Sequence, residues 1–501
     1  MKKGDMKKGM WLGMLAALLP VLALGQSAAD TIAGARKALG DVRSVTYAGS
    51  ARDVSFQQCG ANAAGVVCHG THDPMRPITN YVRVIDLTTS SSRHTGNTMN
   101  TGPGGSTTIG PGTFFQQVTS QQADVSQPWA QSLEFYITPW GFLKGAAENG
   151  ATVSKRKVDG RNLTVLSWSP KVKAPSGKNY TINAYVGDDQ LIERIETWLG
   201  ENIMGDMHIV ATYSGWRDFD GAKVPTEIVQ TRGGWPFFAV DVASARGNPQ
   251  ELTTLAPEPP RPAGAPGGGP GPGAGGAPPA MTVTSEKLGD GLYRLTTGGG
   301  SYDSMLVEFK SYLMVLEGGQ SEARSLAYIA EVKKLVPGKP IRYVVNTHPH
   351  ADHTGGLPVY VAEGATIITQ RNNVQFLDRA LNTPRTLLTD TLARNPRHAK
   401  VEAVDEKKVY TDGARAVELY HIFPAPHSNG LLVAYIPKEK VLFQGDFSLP
   451  AAGQPANDHV KALVPALEKL GLTNFDRYIN VHASAAPQNK AELWRAVGKT
   501  P

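Results

Sequence analysis

Thr347-His348-Pro349-His350-Ala351-Asp352-His353-Thr354-Gly355-Gly356 places four potential metal ligands within six positions. A bound metal explains that density; a solvated surface loop does not. The run before it, Ile341-Arg342-Tyr343-Val344-Val345-Asn346, is β-branched, mostly apolar and of strand length. The ligands are therefore expected in the loop where a buried strand ends. By strand alternation His348 and His350 point the same way, whereas adjacent Asp352 and His353 diverge and are available to a second ion.

A catalytic metal draws its ligands from several strand ends, where α/β folds gather their functional groups. His or Asp directly after an apolar run is therefore the signal to seek. His427 follows the run Ala416 to Phe423 through Pro424-Ala425-Pro426, Asp446 follows Val441-Leu442-Phe443-Gln444-Gly445, and His482 follows Tyr478-Ile479-Asn480-Val481. His421 lies within a strand and reads as structural. His459, which follows Asp458 beyond the Asp446 loop, reads first as a solvated helix residue and, as the alternative, as one within reach of the substrate pocket. His69, His72, His94, His208 and His398 lack a ligand-like context.

From Met281 onward, strands alternate with helices. Ser304 to Phe309 and Tyr312 to Glu317 read as strands, and Ser321 to Val336 as a helix with Leu326, Ile329, Val332 and Val336 on one side, ended by Pro337-Gly338. Thr366 to Thr369 reads as a strand, Asn373 to Leu381 as a helix, and Leu431 to Ile436 as a further strand. Such interleaving implies sheets covered by helices. Before Met281, residues 256–280 collapse to Pro, Gly and Ala and read as an extended interdomain linker. Residues 30–255 carry short strand-like runs, at Asn179 to Val186, Leu191 to Leu199, His208 to Tyr213 and Thr226 to Thr231, with a hairpin turn at Asp220-Gly221. The glycine-rich patch Thr101 to Gly112 lacks a Gly-Lys-Ser/Thr ending and reads as a loop rather than a phosphate cradle.

At 501 residues the chain exceeds one usual hydrophobic core, so more than one domain is expected. Lys2, Lys3, Lys7 and Lys8 precede an apolar run from Met10 to Leu24 and small residues at Gly25, Ser27, Ala28 and Ala29. This reads as a secretory signal peptide over residues 1–29, with a periplasmic or secreted product and no membrane span after cleavage. Cleavage before Asp30 leaves 46 basic against 43 acidic residues. A net charge of +3 and the lack of Lys/Arg runs interleaved with aromatics give no case for nucleic acid. In an oxidising compartment Cys59 and Cys68, the only cysteines, suit a disulfide. His69 and His72 beside them leave a Cys/His metal site open.

The segment Gly215-Trp216-Arg217-Asp218-Phe219-Asp220-Gly221-Ala222-Lys223-Val224-Pro225-Thr226-Glu227-Ile228 resembles the strand pairs of outer-membrane lipoprotein carrier proteins, and implies an antiparallel, β-rich N-terminal domain. Residues 281–501 resemble the metallo-β-lactamase fold superfamily, in its glyoxalase II and zinc lactonase branch. The resemblance rests on the His348 motif, Pro426-His427-Ser428-Asn429-Gly430, Phe443-Gln444-Gly445-Asp446 and Val481-His482. It implies an α/β protein, an αβ/βα sandwich with the site at one edge. It further implies that His348, His350 and His427 hold one ion, that Asp352, His353 and His482 hold a second, and that Asp446 bridges both.

Imidazoles and carboxylates suit two Zn²⁺, with iron or manganese as alternatives, and such ions generate hydroxide from bound water at neutral pH. Asp352 is placed to orient that water or pass a proton, and Asn429 to donate to the substrate oxygen, although Asn-Gly is also a tight turn. The expected activity is hydrolysis of a small molecule bearing a lactone, thioester, phosphodiester or β-lactam. Within that resemblance, Asp446 stands where the β-lactamases usually have Cys or Ser, which favours the first three. Two other readings stay open. One is a mononuclear iron oxidoreductase similar to persulfide dioxygenases, using His348, His427 and Asp446. The other is an envelope ligand-binding protein in which the N-terminal sheet is the working part.

Overall fold

Apolar residues on both faces of successive short strands dictate a structure in which sheets are covered on each side. The computed structural model describes residues 27–53, 76–101, 107–113, 116–117, 128–252, 281–298, 302–450, 454–482 and 486–500. The expected leader up to residue 26, the expected linker, and Cys59 and Cys68 with His69 and His72 lie outside them. Among the described residues no helix is long and apolar enough to cross a membrane.

Helix α1 (Ala28–Leu39) comes first, capped by Ser27, whose hydroxyl accepts from the Asp30 amide. Strands β1 (Ser44–Asp53), β2 (Arg76–Asp86), β3 (Ser91–Thr101), β4 (Thr107–Thr113) and β5 (Gln116–Gln117) follow, then helices α2 (Pro128–Tyr136) and α3 (Pro139–Glu148). Next come β6 (Thr152–Val158), β7 (Arg161–Trp168), β8 (Ile182–Val186), β9 (Ile192–Glu201) and β10 (Gly205–Ser214). The unit closes with β11 (Arg217–Phe219), β12 (Ala222–Val224), β13 (Glu227–Arg232) and β14 (Trp235–Gly247). All but β11 and β12 form one 12-stranded sheet, whose pairings are antiparallel.

Asp220 and Gly221 turn the β11–β12 hairpin with φ of 53° and 84°, the left-handed pair that a tight two-residue turn requires. The loop expected over Thr101 to Gly112 is corrected: Thr107 to Thr113 pairs back onto β3 as β4, with a register shift between Thr98 and Met99 that takes up the irregularity of the segment.

The second unit opens with β15 (Val283–Gly289), β16 (Leu292–Thr297), β17 (Tyr302–Glu308) and β18 (Leu313–Leu316), paired antiparallel. Helix α4 (Glu322–Leu335) crosses to β19 (Ile341–Val345), and helices α5 (Ala351–Thr354) and α6 (Leu357–Glu363) lead to β20 (Thr366–Gln370). Helices α7 (Arg371–Asn382) and α8 (Thr391–Arg394) precede β21 (Lys400–Val404). Strands β18 to β21 pair parallel, as crossover helices demand, and complete a seven-stranded sheet. The buried face of α4 is Ser325, Tyr328, Ile329 and Val332, and the expected core residue Leu326 is 41% exposed. The stripe is rotated because Tyr328 and Ile329 lie nearer its centre.

A five-stranded sheet follows: β22 (Lys407–Thr411), β23 (Ala416–His421), β24 (Leu432–Ile436), β25 (Val441–Gln444) and β26 (Arg477–Asn480). Alternation divides its residues cleanly. Val417, Leu419, Leu432, Ala434 and Phe443 face the core shared with the first sheet. Tyr420, Val433, Leu442 and Tyr478 face a second core under helices α9 (Asp458–Lys469) and α10 (Lys490–Ala496). The result is the expected sandwich of two sheets with helices outside, the metallo-β-lactamase fold, behind a large β-sheet domain.

Candidate metal centre

The centre forms where β19, β23, β25 and β26 end. His348 and His350 lie in the loop leaving β19, His427 in the loop between β23 and β24, Asp446 just past β25, and His482 just past β26. Asp352 and His353 occupy the first turn of α5, which corrects the strand-based expectation that they diverge. A helical turn brings these adjacent side chains to one place.

Two four-residue groups result, His348, His350, His427 and Asp446, and Asp352, His353, Asp446 and His482, each with candidate ligand atoms within 4.8 Å of one another. Asp446 belongs to both. Its Oδ2 lies 2.7 Å from His427 Nε2 and 3.4 Å from His348 Nε2. Its Oδ1 lies 2.9 Å from His353 Nε2 and 3.0 Å from His482 Nε2. Asp352 Oδ2 is 3.2 Å from His482 Nε2 and 3.5 Å from His353 Nε2. Sequence reading named all seven residues, and the structure brings all seven together.

Imidazole nitrogens also face each other, His348 Nε2 and His427 Nε2 at 3.0 Å and His353 Nε2 and His482 Nε2 at 3.3 Å. Two nitrogens bound to one tetrahedral ion at about 2.0–2.1 Å stand about 3.3 Å apart. The donor set, three imidazoles and a carboxylate in one group and two of each in the other, fits zinc-type ions.

Glu317, which sequence reading missed, supports the centre from beneath. It is fully buried, and its Oε2 accepts from Thr347 Oγ1 at 2.6 Å and lies 3.1 Å from His353 Nδ1. That contact places the His353 proton on Nδ1 and leaves Nε2 free to ligate. Asn346 Nδ2 donates to the carbonyls of His348 and His353 at 2.7 and 3.1 Å, and Tyr302 donates to the Asp352 carbonyl at 2.6 Å. Gly445 is required by closeness: a Cβ there would stand 2.9 Å from Thr347 Oγ1 and 3.1 Å from His348 Nδ1.

Electrostatics follow the same division. Burial, reinforced by His353, pushes His348 down to about 3, and burial with His348 and His427 also holds His350 low. His353 is raised well above its ordinary value although burial opposes it, because Asp446 and Glu317 face it. His482 rises to about 9, against burial, through Asp352 and Asp446. Asp446 is held well below the usual carboxylate range by His353, His348 and His427, which outweigh its burial.

Three further residues were named from sequence. His421 is structural, as expected: it is buried, and its Nε2 contacts the Asn429 carbonyl at 2.8 Å. Asn429 is anchored by that carbonyl, and its Oδ1 is buried without a hydrogen-bond partner. His459 departs from the solvated reading and lies on the side of the alternative, near the pocket. It is half-buried, with its ring centroid 4.9 Å from that of His427, because the first turn of α9 packs over the His427 loop.

Residues 297–483 match the family model described as the Metallo-beta-lactamase superfamily. The match spans the seven clustered residues and stops short of the N-terminal sheet. Among curated proteins, the 2,4-dinitroanisole O-demethylase subunit alpha of Nocardioides sp. (strain JS1661) is 22% identical over 204 residues, 40% of this chain. The aligned region spans 58% of that relative's length. Among solved structures, a metallo-beta-lactamase from Pontibacter korlensis is 16% identical with a TM-score of 0.34, covering 43% of this chain and 98% of that one. The DIM-1 metallo-beta-lactamase is 19% identical with a TM-score of 0.33, covering 43% of this chain and 96% of that one.

Proposed function

We propose that the protein is a metal-dependent hydrolase with two ions, zinc by preference, that cleaves an ester-like bond in a small molecule: a lactone, thioester, phosphodiester or β-lactam. The observation that carries this reading is Asp446, whose two oxygens each face a different pair of imidazole nitrogens. A bridging carboxylate between two nitrogen-rich groups suits two ions rather than one mononuclear iron. Bound ions of this kind lower the pKa of water and polarise a carbonyl or phosphoryl oxygen.

The chain's own part is positional. His348, His350 and His427 with Asp446 hold one ion, and Asp352, His353 and His482 with Asp446 hold the other. Asp352 retains about a sixth of its side-chain surface, at 17% exposed, and so can orient water or accept its proton. The open side is at His482, 37% exposed, which sets where substrate enters.

The reading includes export. The N-terminal leader is cut from the mature chain by a signal peptidase, and residues 30–255, 256–280 and 281–501 serve as sheet domain, linker and hydrolase domain. The test is a chromogenic panel of lactone, thioester, phosphodiester and β-lactam substrates, with and without chelator. Because the relative's name describes an O-demethylase, 2,4-dinitroanisole joins that panel as an aryl ether. Chelator-sensitive turnover of one class supports the reading; turnover that survives complete metal removal contradicts it.

A further inference from the structure

Both metal-ligand groups among the described residues lie in the second unit, yet the N-terminal sheet is fastened to one particular helix of that unit. We propose that this sheet is a positioning element for the His427 side of the centre, acting through α7 and Asn373. The inference rests on the reading of His348, His350, His427 and Asp446 as ligands.

At one end of α7, Asn373 is fully buried and its Nδ2 donates to the Gly430 carbonyl at 2.7 Å and to Thr369 Oγ1 at 3.0 Å. The neighbouring carbonyl, of Asn429, receives Asn372 Nδ2 at 3.4 Å beside the His421 contact. The His427 loop is pressed closely onto this amide: a Cβ on Gly430 would stand 1.9 Å from Asn373 Oδ1. His427 therefore takes its position from a loop in which the Gly430 carbonyl is held by Asn373 of α7 and the Asn429 carbonyl by His421 and, more distantly, by Asn372 of α7.

At the other end, α7 meets the sheet. Phe376 lies edge-on to the buried Trp235 with centroids 6.4 Å apart, and Arg379 Cζ sits 5.5 Å from the same ring. The chain leaving α7 continues the joint. Asp206 accepts from the amides of Thr386 and Leu387, both at 2.9 Å, and its own amide donates to the Pro384 carbonyl at 2.6 Å. Arg385 Nη1 reaches the Ile203 carbonyl at 3.4 Å. Asn372, Phe376 and Arg379 recur at helical spacing, and Asn373 lies about 9 Å along the axis from Arg379. A single rigid helix thus spans sheet and ligand loop.

The test measures Co²⁺ affinity on the chelator-stripped full-length chain, by titration calorimetry without substrate. His482→Ala leaves the His427 group to report alone, and His427→Ala leaves the other. In the His482→Ala background, Trp235→Ala and Asn373→Asp each weaken Co²⁺ binding by about 10-fold or more, as loss of a supporting contact does. Arg379→Ala, at an exposed position whose truncation leaves folding intact, weakens it by about two- to fivefold. In the His427→Ala background all three change it less than about twofold. Trp168→Ala, a buried aromatic of the same sheet packed against Trp129 and Phe142 and not against α7, leaves both backgrounds unchanged. Unchanged affinity in Arg379→Ala and Asn373→Asp, or equal weakening in both backgrounds, overturns the inference. Absence of Co²⁺ binding by the parent chain overturns the ligand reading itself.

Discussion

Asp446 is the residue on which the two groups depend, since among the described residues no other side chain belongs to both. Asp446→Asn exchanges one charged oxygen for an amide that cannot ligate as the carboxylate does. The expected outcome is one ion per chain or fewer, and turnover reduced by more than about 100-fold, read by metal analysis and kcat. Glu317→Gln keeps the shape but weakens the hold on the His353 tautomer. It should lower metal affinity by about 10- to 100-fold, with a far smaller change when Thr347→Val is tested alone. Unlike the seven clustered residues, Glu317 escaped the sequence reading for a definite reason. His or Asp directly after an apolar run carries the ligand signal, whereas Glu317-Gly318-Gly319 after Leu313 to Leu316 reads as a strand running into a turn. Its backbone φ of 72° marks it as special, but only once the fold is known.

Titration at the centre also has a definite sign in the chelator-stripped protein. His348 at about 3 and His459 at about 4 are lowered first by burial, then by neighbouring His353 and His427 respectively. As pH falls below the ordinary value of 6.5 the unfolded chain takes up these protons first, so stability is lost on acidification. His482 acts oppositely: its contribution is complete below 6.5 and is lost as pH rises through about 9. The metal-free Tm should therefore peak near 6.5, and a Tm that climbs steadily from pH 7 to 9 contradicts the geometry at His482.

At the scale of elements, helix α1 bears on how the chain is processed. Ser27 and Asp30 form a reciprocal capping box, so the expected cut before Asp30 would strip the cap from a helix that starts at Ala28. A cut between Gly25 and Gln26, after small residues at Ala23 and Gly25, keeps it. Under the proposed export, the prediction is a mature terminus at Gln26, read by mass spectrometry, and a terminus at Asp30 contradicts it. Ser27→Ala should then cost about 1 kcal/mol by denaturant titration. Strands β23, β25 and β26 were legible because each is a short apolar run leading to a candidate ligand, and β24 as an apolar run of strand length. The α4 face was less so, because counting aliphatic residues passed over Tyr328, and β4 was hidden by glycines that its pairing tolerates.

For the whole molecule, the two units share one continuous core and a polar joint, neither of which any local sequence signal announces, since the partners lie roughly 180 positions apart. Arg385 is buried at that joint, paired with Asp390 at 2.5 Å. Removing it leaves a carboxylate without its main partner, so Arg385→Ala should lower stability by about 3–5 kcal/mol in a single cooperative transition. Two separated transitions, with the change confined to one, would contradict a shared core. The sandwich and its ligand set were readable because metal chemistry restricts both residue type and position. The joint was not, because carbonyls and amides carry no residue code.

The most direct measurement is the metal content of the purified full-length protein by inductively coupled plasma mass spectrometry. Two ions per chain, falling to one or none in Asp446→Asn, is the predicted result. A single iron per chain that persists in His482→Ala, or no metal in protein that is folded and active, would contradict the dinuclear centre.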